Sequence, residues 1–219
     1  MSFDGAPERP AGRLWVWRYL YPPVRALVRA LVRFDVRGRE HLPPRGPYIL
    51  ALNHASWKDP AVIVFGLEVP VRFMGKAQVF AYPIVGFLLR GIGSFPVRRG
   101  EGDRRAVVTA LRVLTSGQVL GFFPEGHRSE DGALLRAKPG IAFVASRAPD
   151  VPIVPCAIVG SRRSLPRLIL GGRVGIHIGE AFRVRDLPEA ERVDEQAVAD
   201  AVMRRIAAVA TPEMRGAYR

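Results

Sequence analysis

The stretch Tyr48-Ile-Leu-Ala-Leu-Asn-His-Ala-Ser-Trp-Lys-Asp-Pro60 governs how the rest of the chain is read. Residues 48–52 are uninterruptedly apolar, follow the turn formers Gly46-Pro47 and stop at Asn53, which reads as a buried strand. Asp59-Pro60 then reads as a helix start, with Asp59 as N-cap and Pro60 at the first helical position before Ala61–Leu67. Strand, loop and helix thus enclose an imidazole at 54 and a carboxylate at 59.

Moving outward, short apolar runs recur at Val71–Met74, Gly93–Val97, Gln118–Phe123, Ile153–Val159 and Arg173–Ile178. Helical patterns lie between several of them, notably Gly102–Leu114 and Gly140–Ala148, and residues 189–210 read as a closing amphipathic helix. The alternation predicts an α/β fold: a single domain with a mixed, largely buried β-sheet flanked by helices. No repeat or low-complexity segment interrupts it.

Ahead of this domain, residues 14–34 place Arg18, Arg25, Arg29 and Arg33 on one helical stripe, with Trp15, Trp17, Tyr19 and Tyr21 crowded before a Pro22-Pro23 break. Aromatic rings and arginines together suit a headgroup boundary, although a basic helix lying on the protein's own core has the same pattern. The expected division is an N-terminal amphipathic membrane-surface segment over 1–35 and a domain over 36–219. The start of the chain is polar and broken by prolines, unlike a secretory signal, which points to a cytoplasmic protein. The longest uncharged stretch, Ala77–Leu89, is short of the ~20 residues a membrane-spanning helix needs.

The 219 residues carry a formal charge of +13, and the basic excess lies before residue 180. Lysines stand only at 58, 76 and 138, so arginine is the main cation. Its planar fork matches phosphate oxygens bidentately, pointing to nucleic acid, an anionic bilayer or a phosphorylated small molecule. The lone cysteine, Cys156, excludes an intrachain disulfide, and the four histidines are too scattered in sequence to suggest a metal site.

A carboxylate that holds one ring nitrogen of His54 would fix its tautomer, leaving the other nitrogen to take a proton from an alcohol. Ser56 is an alternative nucleophile but lacks the Gly-x-Ser-x-Gly turn of serine hydrolases. A second constellation, Phe122-Phe-Pro-Glu-Gly-His-Arg-Ser129, joins a strand end to a carboxylate, a glycine and an arginine. Glu125 can accept from substrate hydroxyls or lock Arg128; Arg128 can clamp a phosphate, and Gly126 lets backbone approach closely. Because these arginines are interleaved with Glu, Gly and Pro rather than stacking aromatics, nucleic acid is not the expected partner.

Asn-His-x4-Asp at 53–59 and Phe-Pro-Glu-Gly-x-Arg-Ser at 123–129 together resemble the glycerolipid acyltransferase family, typified by lysophosphatidic acid acyltransferases. The similarity continues through Phe73–Lys76, Gly93–Arg99 and Val151–Pro155, covering roughly residues 40–165. The resemblance implies acyl transfer from a coenzyme A or acyl carrier protein thioester to the hydroxyl of a lysophospholipid, most simply 1-acyl-glycerol 3-phosphate, with no bound cofactor. His54 would be the base and Asp59 its orienter. Lys76 and the N–H of Val97 would stabilise the oxyanion, and Arg98, Arg99, Glu125, Gly126, His127 and Arg128 would form the acceptor pocket. Work at the inner face of the cell membrane, on anionic lipid, is expected from the basic charge, the amphipathic segment and the polar start of the chain.

Three positions depart from the family pattern: His127 stands where Thr or Gly is frequent, Gln78 where an acid is common, and Arg98 where Asp is frequent. All three remove negative charge or add donors, which would favour a more anionic headgroup. Other lysolipids, glycerol 3-phosphate and a non-catalytic lipid-binding role are the alternative readings.

Overall fold

The computed structural model describes residues 16–97, 104–188 and 192–219. Seven strands form its sheet: β1 (Arg33–Arg37), β2 (Tyr48–Leu52), β3 (Val71–Lys76), β4 (Phe95–Val97), β5 (Val119–Phe122), β6 (Ile153–Val159) and β7 (Arg173–Ile178). Their spatial order is β1-β7-β6-β2-β5-β3-β4. All neighbours are parallel except β6 and β7, which makes the sheet mixed. The α/β expectation is met.

Burial explains why β2 lacks polar residues: every one of its side chains is buried, as in a central strand covered on both faces. Pleating sends Ile49 and Ala51 to one core and Tyr48, Leu50 and Leu52 to the other. The first core is closed by α4 (Arg104–Thr115), α5 (Gly140–Ala145) and the helix Glu195–Val209; the second by α2 (Asp59–Leu67). In β5, Gly121 is required by contact, since a Cβ there would lie 2.4 Å from the Phe73 ring.

Helix α3 (Pro83–Gly91) joins β3 to β4, and α6 (Leu165–Ile169) joins β6 to β7, so Glu195–Val209 is α7. Helix α7 is capped by the Asp194 carboxylate, which accepts the Gln196 N–H at 2.9 Å. Neither α3 nor α6 is evident from periodicity, because their apolar residues are not confined to one buried face.

The N-terminal region differs from the expected single stripe. A π-helical turn over Val16–Leu20 runs directly into helix α1 (Tyr21–Leu31), which carries Pro22 and Pro23 in its first turn, so the pair marks a change of helix type instead of a break. Arg33 opens β1, which pairs with β7 through residue 37, so a boundary between 35 and 36 falls inside a strand. Tyr21 donates its hydroxyl to the Val64 carbonyl at 3.0 Å and stacks on Phe65, tying this region to α2. Arg25 and Arg29 both pair with Glu68. Trp15 lies outside the described residues. Among those described, no helix is long and apolar enough to cross a membrane.

Candidate active site

Strands β2, β5, β3 and β4 all end at one edge of the sheet, and the residues singled out by sequence follow those ends. Such an edge is where open parallel sheets offer a crevice for ligands. Asn53 clamps the end of β2 to β6, accepting the Ile158 N–H at 2.7 Å and donating to its carbonyl at 3.2 Å. That two-point clamp sets where His54 emerges.

Beyond His54 the chain folds back so that Nδ1 lies 2.9 Å from Asp59 Oδ2. The same oxygen accepts the N–H of Ala55 at 2.8 Å and of Ser56 at 2.7 Å. Since the carboxylate only accepts, Nδ1 carries the ring proton and Nε2 keeps its lone pair. Asp59 is wholly buried; three donors meet Oδ2, while Oδ1 has no hydrogen-bond partner among the described residues. The N-cap expectation fails here: Asp59 is the first residue of α2, and its side chain turns back to the preceding loop instead of capping the helix. Short reach decides this, because the loop N–H groups and the imidazole lie on the side from which the chain arrives.

The His54 ring stacks on Phe123 with centroids 4.1 Å apart, and Phe123 stacks on Phe73 at 5.6 Å. Phe123 therefore fixes the plane of the imidazole, a role invisible in spacing because ring contacts are made across strands. The segment after β5 also grips the backbone on both sides of His54. Glu125 Oε1 accepts the His54 N–H at 3.1 Å, and the Ser129 N–H donates to the His54 carbonyl at 2.8 Å.

Glu125 thus faces inward, 1% exposed, and its carboxyl holds His54 backbone where sequence suggested a bond to Arg128. Burial pushes its pKa up to about 8; the backbone N–H groups of His54 and Leu135 oppose the rise, and the nearby Asp59 adds to it. Its other oxygen, Oε2, is buried without a partner. Gly126 turns the loop at φ 74°, a left-handed conformation that favours glycine.

His127 and Arg128 are exposed on this loop. Lys76 and Val97 are register partners at the ends of β3 and β4, with Lys76 exposed and Val97 half-buried. Arg98 and Arg99 lie outside the described residues. Ser56 is buried and its hydroxyl accepts the Lys58 N–H at 3.2 Å. Among the described residues no three His, Cys, Asp or Glu side chains converge as a metal site would require.

Residues 33–159 match the sequence model of the family described as Acyltransferase. The chain is 31% identical over 176 residues to the 1-acyl-sn-glycerol-3-phosphate acyltransferase of Bacillus subtilis, spanning 78% of this chain and 85% of that protein. It is 32% identical over 167 residues to the lyso-ornithine lipid O-acyltransferase of Pseudomonas aeruginosa, spanning 68% of this chain and 63% of the other. Its fold is similar to that of PlsC, the 1-acyl-sn-glycerophosphate acyltransferase of Thermotoga maritima. The TM-score is 0.69 at 23% identity, over 90% of this chain and 81% of that one. That likeness bears on the fold alone.

Proposed function

The chain belongs to the acyltransferase family, and from that premise we propose that it moves a fatty acyl group from a thioester of coenzyme A or acyl carrier protein to the hydroxyl of a lysophospholipid. The acceptor we infer is 1-acyl-glycerol 3-phosphate, giving phosphatidic acid at the inner face of the cell membrane. One observation carries the mechanism: His54 holds Asp59 through Nδ1 at 2.9 Å, so Nε2 is the nitrogen left to take a proton.

In the proposed step the acceptor oxygen attacks the thioester carbonyl while its proton passes to His54 Nε2. Asp59 then faces an imidazolium and offsets its charge. The tetrahedral oxyanion collapses, the C–S bond breaks, and the leaving thiolate takes the proton back from His54. Lys76 and the Val97 N–H, adjacent at the same edge, are assigned to the oxyanion, where fixed donors lower the barrier most. No acyl-enzyme is formed, and Ser56 takes no part.

Arg128, with Arg98 and Arg99, is assigned to the acceptor phosphate, and His127 to headgroup choice. Holding phosphate by two or three forks would bring the neighbouring hydroxyl to His54, the kind of positioning worth up to roughly 7–11 kcal/mol. Glu125 and Gly126 support the pocket from beneath: Glu125 orders the His54 backbone, and Gly126 supplies the turn that presents Arg128.

The test is product identification by mass after incubating the purified protein with acyl-CoA or acyl carrier protein thioesters and a panel of acceptors. The panel should hold lysophosphatidate, glycerol 3-phosphate and lyso-ornithine lipid. Phosphatidic acid formed from lysophosphatidate is the expected result. Acylation of lyso-ornithine lipid alone would overturn the acceptor assignment, and no acylated product at all would overturn the activity.

A further inference from the structure

We infer that a cationic cavity beside α7, walled by Arg136, Arg204 and Arg219, receives the phosphorylated nucleotide of a coenzyme A thioester, which makes coenzyme A the carrier of the acyl donor. The inference deepens the proposed function and rests on it in one respect, that the donor is an acyl thioester.

The cavity measures about 350 Å³, and Asp200 and Tyr218 also line it. That volume is at the lower end of small-molecule sites, so the concavity takes a compact headgroup, whereas the convex surface of a carrier protein would meet only its rim. Three arginine side chains stand there against a single carboxylate. That carboxylate is already engaged, since Asp200 Oδ1 accepts the Tyr218 hydroxyl at 2.7 Å and the Gln196 amide at 3.0 Å. Guanidinium forks gathered around one concavity match phosphate oxygens bidentately, and the Tyr218 ring adds an aromatic wall beside them.

Two pieces of chain build these walls. Helix α7 supplies Asp200 and Arg204, four residues apart and therefore on one face. The other wall is the segment 134–137, clamped by residues 214–218: the Leu134 N–H donates to the Met214 carbonyl at 2.7 Å, the Ala217 N–H to the Leu134 carbonyl at 3.1 Å, and the Ala137 N–H to the Tyr218 hydroxyl at 2.8 Å. Gln196 ties the segment to α7 by donating to the Ala137 carbonyl at 3.1 Å. The backbone of Arg136 is thus fixed between two pinned residues, which lowers the ordering cost of binding.

The same segment touches the catalytic residues. Leu135, next to Arg136, donates its N–H to the Glu125 carboxyl, and Glu125 Oε1 accepts the His54 N–H at 3.1 Å. One short stretch of chain therefore borders both the cavity and the carboxyl that holds His54. A coenzyme A thioester has the extension this arrangement needs, because a long flexible arm separates its phosphates from its thioester. The acceptor phosphate is assigned to Arg128, so the two phosphate-bearing substrates have separate cationic sites.

The experiment is titration calorimetry of the full chain with coenzyme A and with inorganic phosphate, alongside steady-state rates with an acyl-CoA donor. The wild type is compared with Arg136→Gln/Arg204→Gln and with Arg112→Gln/Arg167→Gln, which removes the same charge from exposed positions on α4 and α6. Thermal melts establish that both are folded, and Arg136→Gln alone gives the reading if the cavity pair is not. Affinity for coenzyme A should fall about tenfold or more in the cavity variant, as expected for losing charge-assisted bonds, and should hold in the control pair. The KM for acyl-CoA should rise with it while kcat and the acceptor KM stay near wild type. Unchanged affinity in the cavity variant, or an equal loss in the control pair, overturns the site. Inorganic phosphate bound as tightly as coenzyme A overturns the donor assignment. Cavity-dependent binding without turnover on any acceptor overturns the proposed activity and leaves the site standing. Turnover from acyl carrier protein with no binding of coenzyme A overturns the site and leaves the activity standing.

Discussion

His54 Nδ1 and Asp59 Oδ2 lie 2.9 Å apart, and that single carboxylate oxygen also accepts the N–H groups of Ala55 and Ser56. One atom thus orients the imidazole and closes the loop that carries it. Asp59→Ala removes all three bonds, and about 3–5 kcal/mol of stability should be lost with activity, as for other broken buried charge pairs. Asp59→Asn keeps an oxygen for the two backbone donors but no longer enforces the tautomer. Its melting temperature should stay much closer to wild type while turnover falls roughly a hundredfold or more. Calorimetry and steady-state rates on the two variants separate these effects.

Glu125 makes the fold sensitive to pH in an unusual direction for a carboxyl. Its folded pKa of about 8 stands above the ordinary value of 4.5, so the folded chain holds a proton that the unfolded chain has released between those limits. The stabilising contribution is complete below the unfolded value and is lost as pH rises to 8, at up to ~1.4 kcal/mol per pH unit. Glu125→Gln should flatten that slope. Denaturant melts of wild type and variant at intervals from pH 5 to about 8 check it, and parallel slopes would contradict it.

Gly121 connects a strand interior to the catalytic ring. A Cβ at this position would press on Phe73, which stacks on Phe123, which stacks on His54. Gly121→Ala should cost about 1–3 kcal/mol through overpacking. It should also lower turnover, although the substituted atom lies two rings from the imidazole. Retained kcat in a destabilised variant would show that the stack does not transmit the shift.

Arg128 is exposed on the loop after β5 and is assigned in the proposed function to the acceptor phosphate. Arg128→Ala should raise KM for lysophosphatidate about tenfold or more, the worth of a charge-assisted bond of ~1.5–3 kcal/mol, with the acyl donor KM little changed. A matching rise in the donor KM would place Arg128 on the thioester instead.

The sequence announced the sheet well where strands are wholly buried, because β2, β5 and β6 must be apolar on both faces. It misled at residues 33–37, where β1 has no buried side chain and Arg33 continues the arginine spacing of α1. Asp59 and Pro60 form the expected helix-start pair, yet contact with an imidazole five residues earlier outweighs capping. The helices α3 and α6 were hidden because each presents apolar side chains outward. Glu125 was legible as a site residue, but its inward turn toward the His54 backbone depends on how β5 sits beside β2.

The central claim is that His54 acts as the base, and the direct measurement is the turnover of His54→Ala on lysophosphatidate with a thioester donor, folding verified by calorimetry. A loss on the ~10² to 10⁴ scale of general base catalysis is expected, with acceptor KM little altered. Turnover within a fewfold of wild type would contradict it.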